Sequence, residues 1–309
     1  MASFREKWLA AVENKNSILC AGLDPAEFEM GRTEKGEGLP KTVDKLEWAE
    51  KYIEAVAPYC AAVKPNIQYW KKHAGGNSRR ISDMDALVEI VQMAHARGLV
   101  VIDDSKLADI GSTNDAGVYH SQDKKYDAVT FSPFAGNMQE ASNQAFNRNL
   151  GLICMCLMSN PEYETEKNAW KDVSKNVGDY VPADVVFITD PSTHQSVPHV
   201  RQYIQLARDS TRFGLSGVVI GAPSPKNHIK EYEVVCASTY LDKDKLILVP
   251  GIGAQGGEIS ILSKYFDMNH LIANVGRGLM FPNGAESTPE QQAEAAKNYQ
   301  KMLNELREK

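Results

Sequence analysis

The sequence predicts an α/β protein folded as a single-domain (β/α)8 TIM barrel. Three observations carry that reading. Eight short apolar runs alternate with longer amphipathic segments along the 309 residues. The runs are continuously apolar, as strands buried on both faces of a parallel sheet must be. Residues capable of chemistry stand where the runs stop, and that C-terminal edge is where barrel active sites are assembled. A doubly wound open sheet is the alternative for the same alternation; the placement of the polar residues favours the barrel. A barrel needs about 250 residues, so the chain from 1 to 309 fits one domain with two loop insertions.

The elements follow in order. Residues 17–23 (SILCAGL) form the first strand, and 60–64 (CAAVK), 99–103 (LVVID) and 127–131 (DAVTF) the next three. Residues 151–158 (GLICMCLM), 216–221 (SGVVIG), 246–250 (LILVP) and 271–275 (LIANV) supply the other four. Between the first two strands, 44–56 places Leu46, Ala49, Tyr52, Ile53 and Val56 on one helical stripe. Residues 84–95 do the same with Leu87, Ile90, Val91 and Ala94. Helical periodicity returns at 200–208, 227–237, 257–265 and 288–307, and is weaker after the third and fourth strands. The insertions are 26–41, rich in Glu and Gly, and 161–191, which holds Trp170 and a short strand at 184–189.

Composition narrows the function. With 34 Lys+Arg against 40 Asp+Glu the net charge is −6, and a nucleic-acid binder would show a basic surface instead. Segment 161–191 alone carries seven acids against three lysines. Cys20, Cys60, Cys154, Cys156 and Cys236 form an odd set without a CxxC pair, which reads as reduced cysteine in apolar surroundings. The N-terminus has no apolar stretch of a secretory signal, and no run approaches the ~20 apolar residues of a membrane span. A soluble, cytoplasmic protein is expected.

The most informative segment is 101–115, VIDDSKLADIGSTND, with Asp104, Lys106 and Asp109 in the spacing D-x-K-x-x-D. Residues i and i+2 of a strand share a face, so Asp104 and Lys106 point together into the barrel mouth. Asp109 lies beyond, free to return to the same place or to reach a neighbouring subunit. Acid and base at close range hold one another charged, and a lysine ammonium among carboxylates suits proton delivery to a carbanion. Lys64 ends the second strand and adds a second positive charge. Asp24 ends the first, either as a turn cap before Pro25 or as a carboxylate for ligand hydroxyls.

A different chemistry ends the chain. VPGIGAQGG (249–257) is a strand followed by a glycine-rich loop, and NVGRGLM (274–280) repeats the design. Loops after the seventh and eighth strands of barrels frequently bind phosphate through main-chain N–H groups. Arg277 would add a charge-assisted contact to a phosphate dianion. The seven histidines are scattered without an HxH or HExxH pair, and neither a GxSxG elbow nor a Walker loop is present.

Together these motifs resemble the orotidine 5′-phosphate decarboxylase family. LDP at Asp24, the strand-end Lys64, DSKLADIGST, MSNP at 158–161, PGIGAQGG and VGRG occur in the family's order, between about residues 17 and 280. DIGST and SNP are similar to its bacterial branch. The resemblance implies a cofactor-independent carboxy-lyase of pyrimidine biosynthesis that makes UMP, acting as a homodimer with shared sites. It implies that Asp104, Lys106 and Asp109, joined by Lys64, form the catalytic array, with Asp109 supplied by the partner subunit. Lys106 would protonate C6 of the pyrimidine, and Asp104 would sit against the substrate carboxylate. Asp24 and Lys64 would bind ribose hydroxyls, and Ser159 would read the pyrimidine amide. Ile110 would also contact the substrate, as would Thr113 from across the interface. Gln255 and Arg277 would grip the phosphate, and Pro250, Gly256 and Gly276 would also bind the substrate. Metal-dependent sugar-phosphate synthases of the same superfamily also carry D-x-K-x-x-D, but with a carboxylate where this chain has Lys64.

Overall fold

Before any strand forms, Ser3 accepts a hydrogen bond from the Glu6 amide, and the Glu6 carboxylate accepts one from the Ser3 amide at 2.7 Å. This capping box starts helix α1 (Phe4–Lys15), which the strand–helix alternation did not anticipate. α1 buries Phe4, Trp8, Ala11 and Val12, and the Trp8 indole donates to the Asn269 carbonyl at 2.8 Å. The structure, a computed structural model, describes residues 2–32, 36–71, 82–252 and 258–308.

Strands and helices then alternate. They run β1 (Leu19–Leu23), α2 (Lys45–Val56), β2 (Ala62–Pro65), α3 (Asp83–Ala96), β3 (Val100–Leu107) and α4 (Gly111–Asp123). β4 (Ala128–Phe131), α5 (Met138–Asn147) and β5 (Gly151–Leu157) follow. An excursion comes next: α6 (Tyr163–Lys167), β6 (Trp170–Asp172), β7 (Val186–Thr189) and β8 (Ser196–Arg201). The chain then resumes with α7 (Gln202–Arg212), β9 (Gly217–Ile220), α8 (Glu231–Tyr240), β10 (Leu246–Val249) and α9 (Ile259–Leu262). It ends with β11 (Leu271–Val275), α10 (Arg277–Met280) and α11 (Pro289–Arg307).

The eight expected strands pair in parallel around a closed barrel, in the order β1-β11-β10-β9-β5-β4-β3-β2. Closure rules out the open sheet. β1, β2, β4, β5, β9 and β10 are buried at every residue, which is why their sequences do not alternate. One face fills the barrel and the other receives the helices, each large apolar side chain contributing about 1.5–3 kcal/mol. The α2 and α3 stripes face inward as expected, with Tyr52, Ile53, Leu87 and Ile90 fully buried.

Local differences have local causes. The excursion after β5 extends to residue 201, because β6, β8 and β7 form a separate antiparallel sheet. α7 therefore begins at Gln202, two residues after its expected start. α8 begins at Glu231 because Asn227 caps a preceding turn, its side chain accepting from the Ile229 amide at 3.0 Å. Among the described residues, no helix is long and apolar enough to cross a membrane.

Candidate active site

The C-terminal ends of β1, β2 and β3 lie side by side, with Gly22 in register with Lys64 and Val63 with Val101. The polar residues that end these strands therefore converge on one mouth. Lys64, buried, forms an ion pair with Oδ2 of Asp104, also buried. Lys106 Nζ donates to Oδ1 of the same carboxylate at 2.6 Å, and the Thr130 hydroxyl from β4 reaches that oxygen at 3.1 Å.

The route by which Lys106 arrives differs from a plain strand. β3 continues to Leu107, but its pairing with β4 shifts register between Asp103 and Leu107. At this irregularity Lys106 takes a left-handed conformation, φ +52°, and its amide donates to Thr130 Oγ1 at 2.9 Å. Bulges of this kind re-aim a side chain next to an active site. Lys106 is held to Asp104 yet remains half exposed at the mouth.

Electrostatics separates the carboxylates here. Burial disfavours the charge of Asp104, but Lys64 and Lys106 outweigh it and hold the carboxyl well below its usual range. Burial likewise disfavours the Lys64 ammonium, and Asp104 together with Asp24 reverses the effect and keeps it protonated far above neutrality. Asp24, just beyond β1, is pushed up by burial, with Lys64 opposing and Asp104 adding. Its Oδ1 is buried without a hydrogen-bond partner among the described residues. A buried acceptor left open in this way suits a ligand hydroxyl. Asp103 faces the other side of β3, where Ser121 Oγ donates to it at 2.6 Å and burial pushes its carboxyl up to about 6.

The remaining expected residues divide by position. Asp109, Ile110 and Thr113 are exposed in this chain, and Asp109 Oδ1 accepts the Ile110 amide at 2.8 Å. Among the described residues no bond joins Asp109 to Lys106. Ser159 follows β5, half-buried; a side chain on Gly221 would meet its Cβ at 2.8 Å, so the glycine lets this loop lie over the end of β9. Pro250 is half-buried at the end of β10, while Gln255 and Gly256 lie outside the described residues. Gly276 packs on Gly22, where an added Cβ would lie 2.8 Å from its Cα. Arg277, at the start of α10, donates through Nη1 to Glu37 Oε2 at 2.9 Å.

Two participants escaped the sequence reading. Thr130 is the one polar residue of β4 (AVTF), a signal that was available. Glu37 gave none, because its partner is 240 residues away. Among the described residues, no group of three or more His, Cys, Asp or Glu side chains is placed to hold a metal ion. All five cysteines are free, and burial pushes the Cys20 and Cys156 thiols up to about 12.

An ammonium fixed on a buried carboxylate, beside a second buried ammonium and facing an open mouth, can stabilise a developing anion and give it a proton. Residues 17–180, just over half of the chain, match the sequence model of the orotidine 5′-phosphate decarboxylase / HUMPS family. The chain belongs to that family. Curated orotidine 5′-phosphate decarboxylases are similar to it along most of their length. That of Cupriavidus metallidurans is 29% identical over 287 residues, covering 90% of this chain and 89% of that protein. That of Corynebacterium glutamicum is 29% identical over 287 residues and covers 90% of each. The solved OMP decarboxylase of Leishmania donovani has the same fold, with a TM-score of 0.68 at 21% identity over 100% of both chains. The family's barrel is thus the scaffold on which Lys64, Asp104 and Lys106 are held.

Proposed function

We propose that this chain is an orotidine 5′-phosphate decarboxylase, converting orotidine 5′-phosphate to UMP and carbon dioxide as a cytoplasmic homodimer. The Lys64–Asp104–Lys106 array carries this reading. Lys64 also separates it from the metal-dependent synthases, which look to a carboxylate at that position.

In the reaction the bond from C6 to the carboxylate breaks, carbon dioxide leaves, and the electron pair stays on C6. Lys106 Nζ gives its proton to C6, and the amine regains one from solvent. A preorganised ammonium stabilises that charge as it develops, without waiting for solvent to reorient. Asp104, kept ionised by its two lysines, sits against the substrate carboxylate and favours its departure. Asp24 and Lys64 hold ribose hydroxyls, and Ser159 reads the pyrimidine amide. Gln255 and Arg277 grip the phosphate, whose binding energy is realised in the transition state, and Pro250, Gly256 and Gly276 also bind the substrate.

Asp109 and Thr113 act in the partner's site, with Ile110 beside them. Their exposure in the single chain supports this. So does the exposed apolar surface in this part of the chain: Ile110, which precedes α4, is 58% exposed and Phe134, in the turn before α5, 93%, with Tyr119 of α4 and Phe146 of α5 also exposed. The free cysteines support a reducing, cytoplasmic setting.

Subunit complementation tests the array and the sharing together. Decarboxylation is followed by the absorbance of orotidine 5′-phosphate in buffer with EDTA. Lys106→Ala and Asp109→Ala should each lose at least ~1,000-fold in turnover. Mixed and reassembled, they should regain about a quarter of wild-type activity, since half the dimers are then mixed and each has one intact site. An inactive wild type sinks the assigned reaction, near-normal turnover by Lys106→Ala removes the proton donor, and a mixture no better than its components removes the sharing.

A further inference from the structure

The 26–41 insertion takes no part in the chemistry above, yet one of its residues reaches the phosphate end of the site. Glu37 Oε2 lies 2.9 Å from Arg277 Nη1 and 3.9 Å from Arg32 Nη1. Two guanidinium groups far apart in sequence therefore share one carboxylate. The main chain holds it there. Leu39 donates to the Ala26 carbonyl at 2.8 Å, Phe28 donates to the Leu39 carbonyl at 3.0 Å, and the Glu37 amide donates to Arg32 at 3.3 Å. Glu37 is three-quarters buried, whereas Arg277 is 41% exposed.

A carboxylate oxygen at this distance from a guanidinium makes the same charge-assisted bond that a phosphate oxygen would make. Resting on the reading that Arg277 grips the phosphate of the nucleotide, we propose that Glu37 competes with that phosphate for Arg277 and so limits how tightly the nucleotide is held. A phosphate dianion carries twice the charge of the carboxylate and is attracted correspondingly more strongly to the same cation. It takes Arg277, and the carboxylate turns to Arg32, which already stands beside it. That second partner keeps the displaced charge from being left unpaired in a largely buried place. A neutral nucleoside offers nothing in exchange and leaves the Glu37–Arg277 pair intact. The insertion thus moderates the hold on a phosphate-bearing ligand, which must displace Glu37 to reach Arg277, and costs a neutral ligand nothing.

The proposal predicts effects of opposite sign at two neighbouring residues. UMP and uridine are titrated calorimetrically into the full-length wild type, Glu37→Gln and Arg32→Ala. Glu37→Gln should bind UMP roughly three- to tenfold tighter, with uridine unchanged, and Arg32→Ala should bind UMP weaker by a similar factor. Damage to the fold weakens both ligands, so tightening for UMP alone has no structural imitation. UMP binding by Glu37→Gln that is equal to or weaker than wild type overturns the competition, and unchanged binding by Arg32→Ala overturns the transfer to Arg32. A wild type that binds no UMP overturns instead the reading of Arg277 on which both depend.

Discussion

Asp127, just before β4, and Asp104, near the end of β3, are both buried carboxylates that gather two basic side chains. They sit at opposite ends of the barrel. Asp127 receives Lys7 from α1 at 2.8 Å, His95 from α3 at 2.9 Å and the Val101 amide of β3 at 2.8 Å. Every one of those donors belongs to the scaffold, and the cluster ties four elements together. Asp104 receives Lys64, Lys106 and Thr130, but Lys106 has three N–H donors and uses one of them on Asp104. The Lys106 side chain is 47% exposed. Two basic side chains around a buried carboxylate are therefore not a catalytic signature by themselves. Lys7 likewise gives one N–H to Asp127 and is 35% exposed, so the upper cluster is distinguished by its place at the C-terminal ends of the strands, where barrels do their chemistry.

Substitutions at the carboxylates sharpen this comparison. Asp104→Asn should have the largest effect, because it leaves the buried Lys64 charge without its counterion. A loss of about 3–5 kcal/mol in denaturant unfolding is expected, together with at least ~100-fold in turnover. If stability falls and turnover does not, Asp104 belongs with Asp127 as a fastener. Asp127→Asn should lower stability by about 2–3 kcal/mol at pH 7 and leave kcat within about twofold. Its sign follows from the Asp127 carboxyl, which burial disfavours but His95 and Lys7 hold below its ordinary value. The stabilisation is complete above the unfolded pKa of about 4 and drains away as pH falls through the folded value, so wild type and variant should converge in acid.

Asp103 gives the smallest effect and the opposite sign. Its folded carboxyl is raised to about 6 by burial, so the protonated form favours folding. That contribution is full below the unfolded pKa of about 4 and is lost as pH rises through about 6. Asp103→Asn, which removes the ionisation, should therefore be more stable than wild type at pH 8, by about 2 kcal/mol. The difference should vanish near pH 4. Thermal unfolding of both proteins across that range measures it, and a gap that does not change with pH would mean that Asp103 is not the titrating group.

How much of this was legible in the sequence depends on the range of the interaction. The barrel strands were legible because burial on both faces leaves unbroken apolar runs. α2 and α3 were legible because one buried stripe repeats every three to four residues. α4 gave a weak signal for a physical reason: its buried face is Asn114, Val118 and Ser121, and two of these are polar. Asn114 bonds Gln144 and Ser121 bonds Asp103, so hydrogen bonds replace the apolar stripe. α1 lay outside the alternation altogether, although its capping box can be read at Ser3 and Glu6. Lys64, Asp104 and Lys106 were found from strand ends and spacing. The bulge that turns Lys106 was not, because it arises from the register between β3 and β4, a property of two strands. The Glu37–Arg277 pair and the antiparallel sheet of β6, β7 and β8 likewise depend on contacts that no local pattern records.

The left-handed backbone of Lys106 has one more consequence. A lysine at φ +52° carries a conformational cost that glycine would not, on the order of 1–2 kcal/mol. Relief of that cost alone would therefore favour glycine, which has no side chain to hold or deliver a proton, over the lysine proposed as the donor. Position 106 is a place where durability and reactivity favour different amino acids, and a library sorted first for heat resistance and then for turnover should pull apart there.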